Sequence, residues 1–210
     1  MVLDRAREGA ERLLDPLAVS LRNVNPNSIT AVSFAAAVAA SLSIVFSTPG
    51  RSYLLLAAFV LVAASGLLDA VDGAVARIRK SSGPRGDFLD HVLDRYSDIA
   101  LILGFTFSAF TSSVPLGIFA LLGVLMTSYL GTQAQAVGLK RNYGGALGRA
   151  DRIVLMLAAL LLAFLLAGAG SPAHVASFLT LTVFDWLLLV FAVLGNITAV
   201  YRAVASWRRL

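Results

Sequence analysis

Four aspartates, Asp69, Asp72, Asp90 and Asp94, stand in a chain that is otherwise mostly hydrocarbon, and they share one spaced pattern: Asp69-x2-Asp72-Gly73-x2-Ala76-Arg77-x8-Gly86-x3-Asp90-x3-Asp94. Residues three or four apart on a helix lie on one face, so each pair projects its carboxylates from one side of its own helix. A carboxylate inside a membrane-spanning segment costs several kcal/mol unless it is paired, hydrated or bound to a cation. Nearby cations are few: Arg77, Arg95 and Arg85. A bound divalent metal is the simplest way to hold the negative charge together, and a salt-bridge network is the duller alternative that spacing alone leaves open. Oxygen-only ligands favour Mg²⁺ or Mn²⁺, and two ions can share such a cluster. With no cysteine and no clustered histidine pair, a zinc site is disfavoured.

The residues around the aspartates suit a bulky anionic ligand. Gly73 and Ala76 have almost no side chain and let such a ligand, or another helix, approach the backbone. Arg77 lies on the same side, nearer the helix end, where it can meet a phosphate. Gly86 lies where the next helix opens, and free backbone amides there favour anions. Asn27 and Thr30 begin the first spanning helix at the same level and can hydrogen-bond a nucleotide or the carboxylates; capping is the alternative role for Asn27.

The elements that must position these groups are helices. The chain has 210 residues, 58% hydrophobic and 14% charged, too apolar for a soluble domain of this size. Its apolar runs reach the roughly 20 residues a helix needs to cross a bilayer, and the shorter alternating segments of a β-barrel are missing. The expected class is an all-α integral membrane protein, a single domain over 1–210, with six transmembrane helices preceded by an N-terminal amphipathic helix on the membrane surface. In the amphipathic segment, about Leu3 to Leu21, the apolar positions recur at helical spacing. The spans are expected at about Asn27–Phe46, Tyr53–Ile78, Asp87–Ala109, Leu116–Leu139, Arg149–Ala167 and Val183–Val204, with Ser171–Thr182 as a candidate short interfacial helix.

Charge sets the topology. The net charge of +5 would suit nucleic acid in a soluble protein, but here the basic residues cluster in short loops, so no nucleic-acid partner is expected. Nearly all lie in the N-terminal helix, the loops after spans two and four, and the C-terminus; Arg51 alone falls on the other side. The positive-inside rule then places both termini and the aspartate ends of spans two and three in the cytoplasm, in a multi-pass protein of the plasma membrane.

The spaced pattern, complete at every fixed position, resembles the signature of the CDP-alcohol phosphotransferases. The motif covers about a tenth of the chain, while the surface helix, six spans and cytoplasmic termini match that family along nearly all of it. The resemblance implies that Asp69, Asp72 and Asp90 hold two metal ions, that Asp94 also approaches the metals and acts as the base, and that Gly73, Ala76, Arg77 and Gly86, with Asp69, surround a CDP group. It further implies transfer of a lipid phosphate from a CDP-linked lipid to a polar alcohol with release of CMP, in a homodimer.

For the acceptor, Lys140, Arg149, Arg152 and Arg202 lie at the cytoplasmic ends of spans four to six and can meet a phosphorylated polyol, although positive-inside bias would supply similar charges. Bacterial phosphatidylinositol phosphate and phosphatidylglycerol phosphate synthases often carry basic residues after a Ser-Tyr pair. Here Ser128-Tyr129 is followed by Gly131-Thr132-Gln133-Ala134-Gln135, whose amides bind hydroxyls but do not neutralise phosphate. The stretches Gly86–Asp98 and Gly144–Arg152 look more similar to archaeal members such as archaetidylinositol phosphate synthases. Glycerol phosphate and serine are alternative acceptors, and a cation transporter using the aspartates is the alternative from another class. Asp87, His91 and Asp98 continue the acidic stripe without an assigned role; His174 is expected in an exposed loop, and Asp185 with Trp186 at the start of span six.

Overall fold

The computed structural model describes residues 7–81, 83–140, 142, 144–168 and 181–210, and every extended element among them is a helix. These are α1 (Arg7–Ser20), α2 (Pro26–Val45), α3 (Tyr53–Ile78), α4 (Pro84–Thr106), α5 (Val114–Ala136), α6 (Arg149–Gly168) and α7 (Val183–Trp207), with a 3₁₀ turn at Pro49–Arg51. Five of them, α2, α3, α5, α6 and α7, are long and apolar enough to cross a membrane, which makes this an integral membrane protein. The sixth expected span, α4, matches its neighbours in length at 23 residues but carries Asp87, Asp90, Asp94, Arg95 and Asp98 in its first two-thirds. The expected helix at Ser171–Thr182, and His174 within it, lie outside the described residues save for Leu181 and Thr182.

Local chemistry fixes the helix starts. The Asn25 side chain accepts from the backbone N–H of Asn27 at 3.0 Å, and Pro26 fills a first position whose missing N–H would be unsatisfied anyway. Pro84 plays the same part in α4, with Gly83 as its cap. Hence α4 begins at Pro84 rather than at Asp87: the Gly83-Pro84 pair ends the preceding loop and also opens the helix. Thr182 and Asp185 form a reciprocal capping box at α7. Asp185 also accepts from the backbone N–H and the hydroxyl of Ser112, tying the α4–α5 loop to the head of α7.

In the bundle α2 packs against both α3 and α4, α3 against α6 and α1, α4 against α5, and α5 lies along α7. At Gly123 and Gly195 the α5 and α7 backbones approach so closely that a Cβ on Gly195 would meet Gly123 at 3.0 Å. The main apolar core fills the half of the bundle around Ile44, Leu55, Val62, Phe105, Leu160, Phe184 and Phe191, where Phe105 meets Phe184 edge-on at 4.8 Å. A smaller cluster joins Leu14, Leu17 and Ala18 of α1 to Ile29, Val71 and Val75. Between the two clusters, along both α2 and α3, comes a polar layer: Thr30, Ser33, Ser65, Asp69 and Asp72. The α3 end is held from outside by Arg79, whose Nη1 donates to the carbonyls of Arg22 and Val24 at 3.1 and 3.0 Å.

Candidate active site

The polar layer is where the spaced aspartates meet. Asp69 and Asp72 come from α3, Asp90 and Asp94 from α4, and one carboxylate oxygen each of Asp69, Asp72 and Asp90 lies within 4.8 Å of the others. Oxygen ligands of a small hard cation sit at about 2.0–2.6 Å from it, so slight carboxylate rotations bring all three onto one ion. The donor set is all-oxygen and anionic, which fits a divalent metal. Asp72 is buried and accepts from Thr30 Oγ1 at 2.6 Å. That contact orients its second oxygen and carries α2 into the site.

Along α4 the acidic side chains run inward: relative exposure falls from 76% at Asp87 to 36% at Asp90, 13% at Asp94 and 9% at Asp98. This gradient separates three environments. Asp87 stands at the rim with His91 Nδ1 at 3.6 Å, and the same nitrogen lies 3.8 Å from Asp90. Asp94 lies deeper and is met by Arg149 Nη1 at 2.5 Å and by Arg95 Nη2 at 3.7 Å. That same Arg149 nitrogen reaches Asp69 at 2.8 Å, so one guanidinium bridges the two helices. Asp98 is fully inside, bonded by Arg152 Nη2 through both oxygens at 3.0 and 3.2 Å and by Arg95 Nη1 at 2.7 Å. Arg95 also donates to the Ser128 hydroxyl on α5.

Outside the aspartates opens a cavity of about 780 Å³, lined by residues of α2, α3 and α4 and the loop between the last two. Asn27, Thr30, Asp72, Gly73, Ala76, Arg77, Gly86 and Asp90 all face it, so the sequence motif forms a wall of one chamber. The small residues matter here: a Cβ on Gly73 would meet only Arg77 Nη1 at 3.7 Å, and one on Gly86 only Asn27 Oδ1 at 3.5 Å. Nothing in the fold needs a glycine at either position, and the space they leave belongs to the cavity.

The basic residues expected at the acceptor site are dispersed. Arg152 is buried on Asp98. Arg202 is buried too, its Nε donating to the Gly144 carbonyl at 2.8 Å and its Nη1 to the Thr127 carbonyl at 2.6 Å. Lys140 is exposed, four residues beyond the end of α5. Arg149 joins the aspartates. Sequence reasoning left Asp98 and Arg95 without roles, yet they link the aspartate layer to α5 and α6. A signal existed: Arg149 and Arg152 are one turn apart at a helix N-terminus, where a cation opposes the helix dipole and needs acidic partners.

Comparison with known proteins agrees with this arrangement. Residues 23–201 match the family model described as CDP-alcohol phosphatidyltransferase. The archaetidylinositol phosphate synthase of Methanothermobacter thermautotrophicus is 34% identical over 209 residues, covering 100% of this chain and 96% of that protein. The crystal structure of Mycobacterium tuberculosis phosphatidylinositol phosphate synthase with CDP-DAG bound superposes with a TM-score of 0.72 at 26% identity, covering 93% of this chain and 94% of that one. The same enzyme in complex with manganese and citrate gives a TM-score of 0.70 at 28% identity, with coverages of 92% and 88%.

Proposed function

The chain belongs to the CDP-alcohol phosphatidyltransferase family, and we propose that this metal-dependent phosphotransferase moves a lipid phosphate group from a CDP-linked lipid to the hydroxyl of a phosphorylated polyol such as inositol phosphate, releasing CMP. The observation that carries the reading is the convergence of Asp69, Asp72 and Asp90, of which Asp72 and Asp90 line the cavity, with Asp94 joined to Asp69 through Arg149. Relatives named for archaetidylinositol phosphate and phosphatidylinositol phosphate synthesis support the polyol phosphate.

Asp69, Asp72, Asp90 and Asp94 would hold two ions, Mg²⁺ or Mn²⁺, which when bound would neutralise the diphosphate and the departing CMP. Thr30 fixes Asp72 by its hydrogen bond. Asn27, Gly73, Ala76, Arg77 and Gly86 enclose the cytidine and its phosphates, the glycines by leaving room and Arg77 by charge. Asp94 takes the proton of the acceptor hydroxyl as its oxygen attacks the lipid-linked phosphorus and the bond to CMP breaks. Of the four basic residues expected at the acceptor, Arg149 lies at the aspartates and would meet the acceptor phosphate, Arg152 and Arg202 support that side of the bundle through Asp98 and backbone carbonyls, and Lys140 adds exposed charge beyond α5.

The reading includes six membrane crossings, with α4 spanning beside its five apolar neighbours and its acidic face turned inward. It also has α1 lying on the membrane surface, both termini and the cavity on the cytoplasmic side, and a homodimeric assembly in the plasma membrane. The positive-inside count supports the sidedness. Asp69 lies nine residues from the end of α3, about 13 Å, a depth at which an anchored lipid and a water-soluble acceptor can meet.

The experiment is release of CMP by purified protein given CDP-lipid and Mg²⁺ or Mn²⁺ with inositol phosphate, glycerol phosphate, serine or inositol. Turnover with inositol phosphate above the others is expected. Preference for glycerol phosphate or serine would keep the chemistry and replace the acceptor, and ion flux in liposomes without CMP release would favour a transporter.

A further inference from the structure

Arg149 is bound where an acceptor-binding arginine has least reason to be. Its Nη1 lies 2.8 Å from Asp69 and 2.5 Å from Asp94, joining α3 to α4. Arg149 is also the first residue of α6, where the exposed amides of the helix end disfavour a cation. The two carboxylates compensate for that placement. We propose that the Arg149 guanidinium is an internal placeholder for the second metal ion: it neutralises Asp69 and Asp94 while the site is metal-free, and must leave them when an ion binds there. The inference rests on the proposed two-metal reading and adds a regulatory residue to it.

Charge and space both require the exchange. A guanidinium nitrogen within 2.8 Å of both oxygens occupies the volume in which an ion shared by Asp69 and Asp94 would sit, and a divalent cation beside it would be strongly repelled. Among the described residues Arg149 makes no ion pair with Asp72 or Asp90, so the position they share with Asp69 is the one more open to an ion. The arginine also has freedom to move. Its side chain is 28% exposed, which leaves it a way out toward solvent. Asp151, which accepts from the Gly148 N–H at 2.8 Å, pins the backbone at the start of α6. Motion is thereby confined to the side chain. Once displaced, Arg149 is a cation without its carboxylates beside the reacting centre, and an anionic acceptor restores its partner. Binding of the second ion and capture of the acceptor phosphate are thus coupled through one residue.

The test is Mn²⁺ binding to purified protein without substrate, followed by calorimetry and by electron paramagnetic resonance, in which a spin-coupled ion pair has its own signature. Wild type is expected to bind one ion well and a second weakly. Arg149→Gln should tighten the second event by about tenfold or more, the scale of one partly buried ion pair, and bring in the coupled signature at lower Mn²⁺. Arg149→Lys, which keeps the charge, should stay within a few-fold of wild type, and it also guards against a folding defect in the glutamine variant. In wild type, inositol phosphate added with CDP should tighten the second ion, and in Arg149→Gln it should not. A second ion bound equally or more weakly by Arg149→Gln overturns the placeholder role while leaving the metal reading intact. Failure of every protein to bind any Mn²⁺ overturns both.

Discussion

The two sides of the polar layer are built on opposite plans. Toward α2 and the α3–α4 loop, carboxylates from two helices converge on one another with a hydroxyl as the contact from α2, and they open onto a cavity. Toward α5, α6 and α7, Asp98 sits between Arg95 and Arg152, and Arg202 is fastened to backbone carbonyls of α5 and the α5–α6 connection. Like charges held together are a cost that a bound cation relieves, whereas opposite charges held together are already satisfied. The first side is therefore arranged for binding, and the second for holding the bundle's polar interior in register. Arg149 belongs to both, being a residue of α6 engaged with the aspartates of α3 and α4.

Substitutions on the two sides should separate activity from stability. Asp94→Asn should have the largest effect, lowering the rate of CMP release by about 10²–10⁴-fold, as loss of a general base does, while the melting temperature stays near wild type. Turnover retained within a few-fold would remove Asp94 from that role. On the other side, Asp98→Ala leaves Arg95 and Arg152 buried without their carboxylate and should cost about 3–5 kcal/mol of stability, read from thermal unfolding in detergent. Asp72→Ala relieves repulsion but also removes the Thr30 hydrogen bond, so it should cost clearly less stability than Asp98→Ala, while abolishing Mn²⁺ binding at the open position. If Asp72→Ala destabilised the protein as much as Asp98→Ala, the contrast between the sides would fail.

Smaller changes sharpen the comparison. Thr30→Val removes a hydrogen bond to a carboxylate, worth about 1.5–3 kcal/mol, and should weaken metal binding by roughly ten- to a hundredfold. Gly73→Ala adds a methyl group that meets nothing closer than Arg77 Nη1 at 3.7 Å, so folding is expected to be unaffected. Its methyl intrudes on the cavity, and the KM for CDP-lipid should rise a few-fold with little change in kcat. A change in stability with no change in KM would show that Gly73 serves helix packing.

Most of the binding side was legible in the sequence because its residues are local. Asp69 to Arg77 lie on one helix, Gly86 to Asp94 on the next, and helical spacing suffices to put each set on one face. The helices themselves were readable from apolar length, and their ends differ by one to three residues where Pro84 and Pro26 could be read either as breakers or as first-turn residues. The other side was not legible, because its pairs are distant in sequence: Asp98 with Arg152, Arg95 with Ser128, Arg202 with Thr127. Nothing in the spacing of Arg149, Arg152 and Arg202 tells which faces an aspartate, which a carbonyl and which a ligand. Their common location at cytoplasmic helix ends grouped them together, and only tertiary packing separates them.

The central claim is that metal held by the α3 and α4 aspartates drives transfer from a CDP-linked lipid. Its most direct test is CMP release by wild-type protein freed of metal by a chelator and then titrated with Mn²⁺, alongside Asp69→Asn under the same conditions. The account predicts no turnover without metal, recovery as Mn²⁺ is restored, and no recovery in the variant. Turnover that persists after chelation, or that Asp69→Asn recovers in full at the same Mn²⁺, would contradict it.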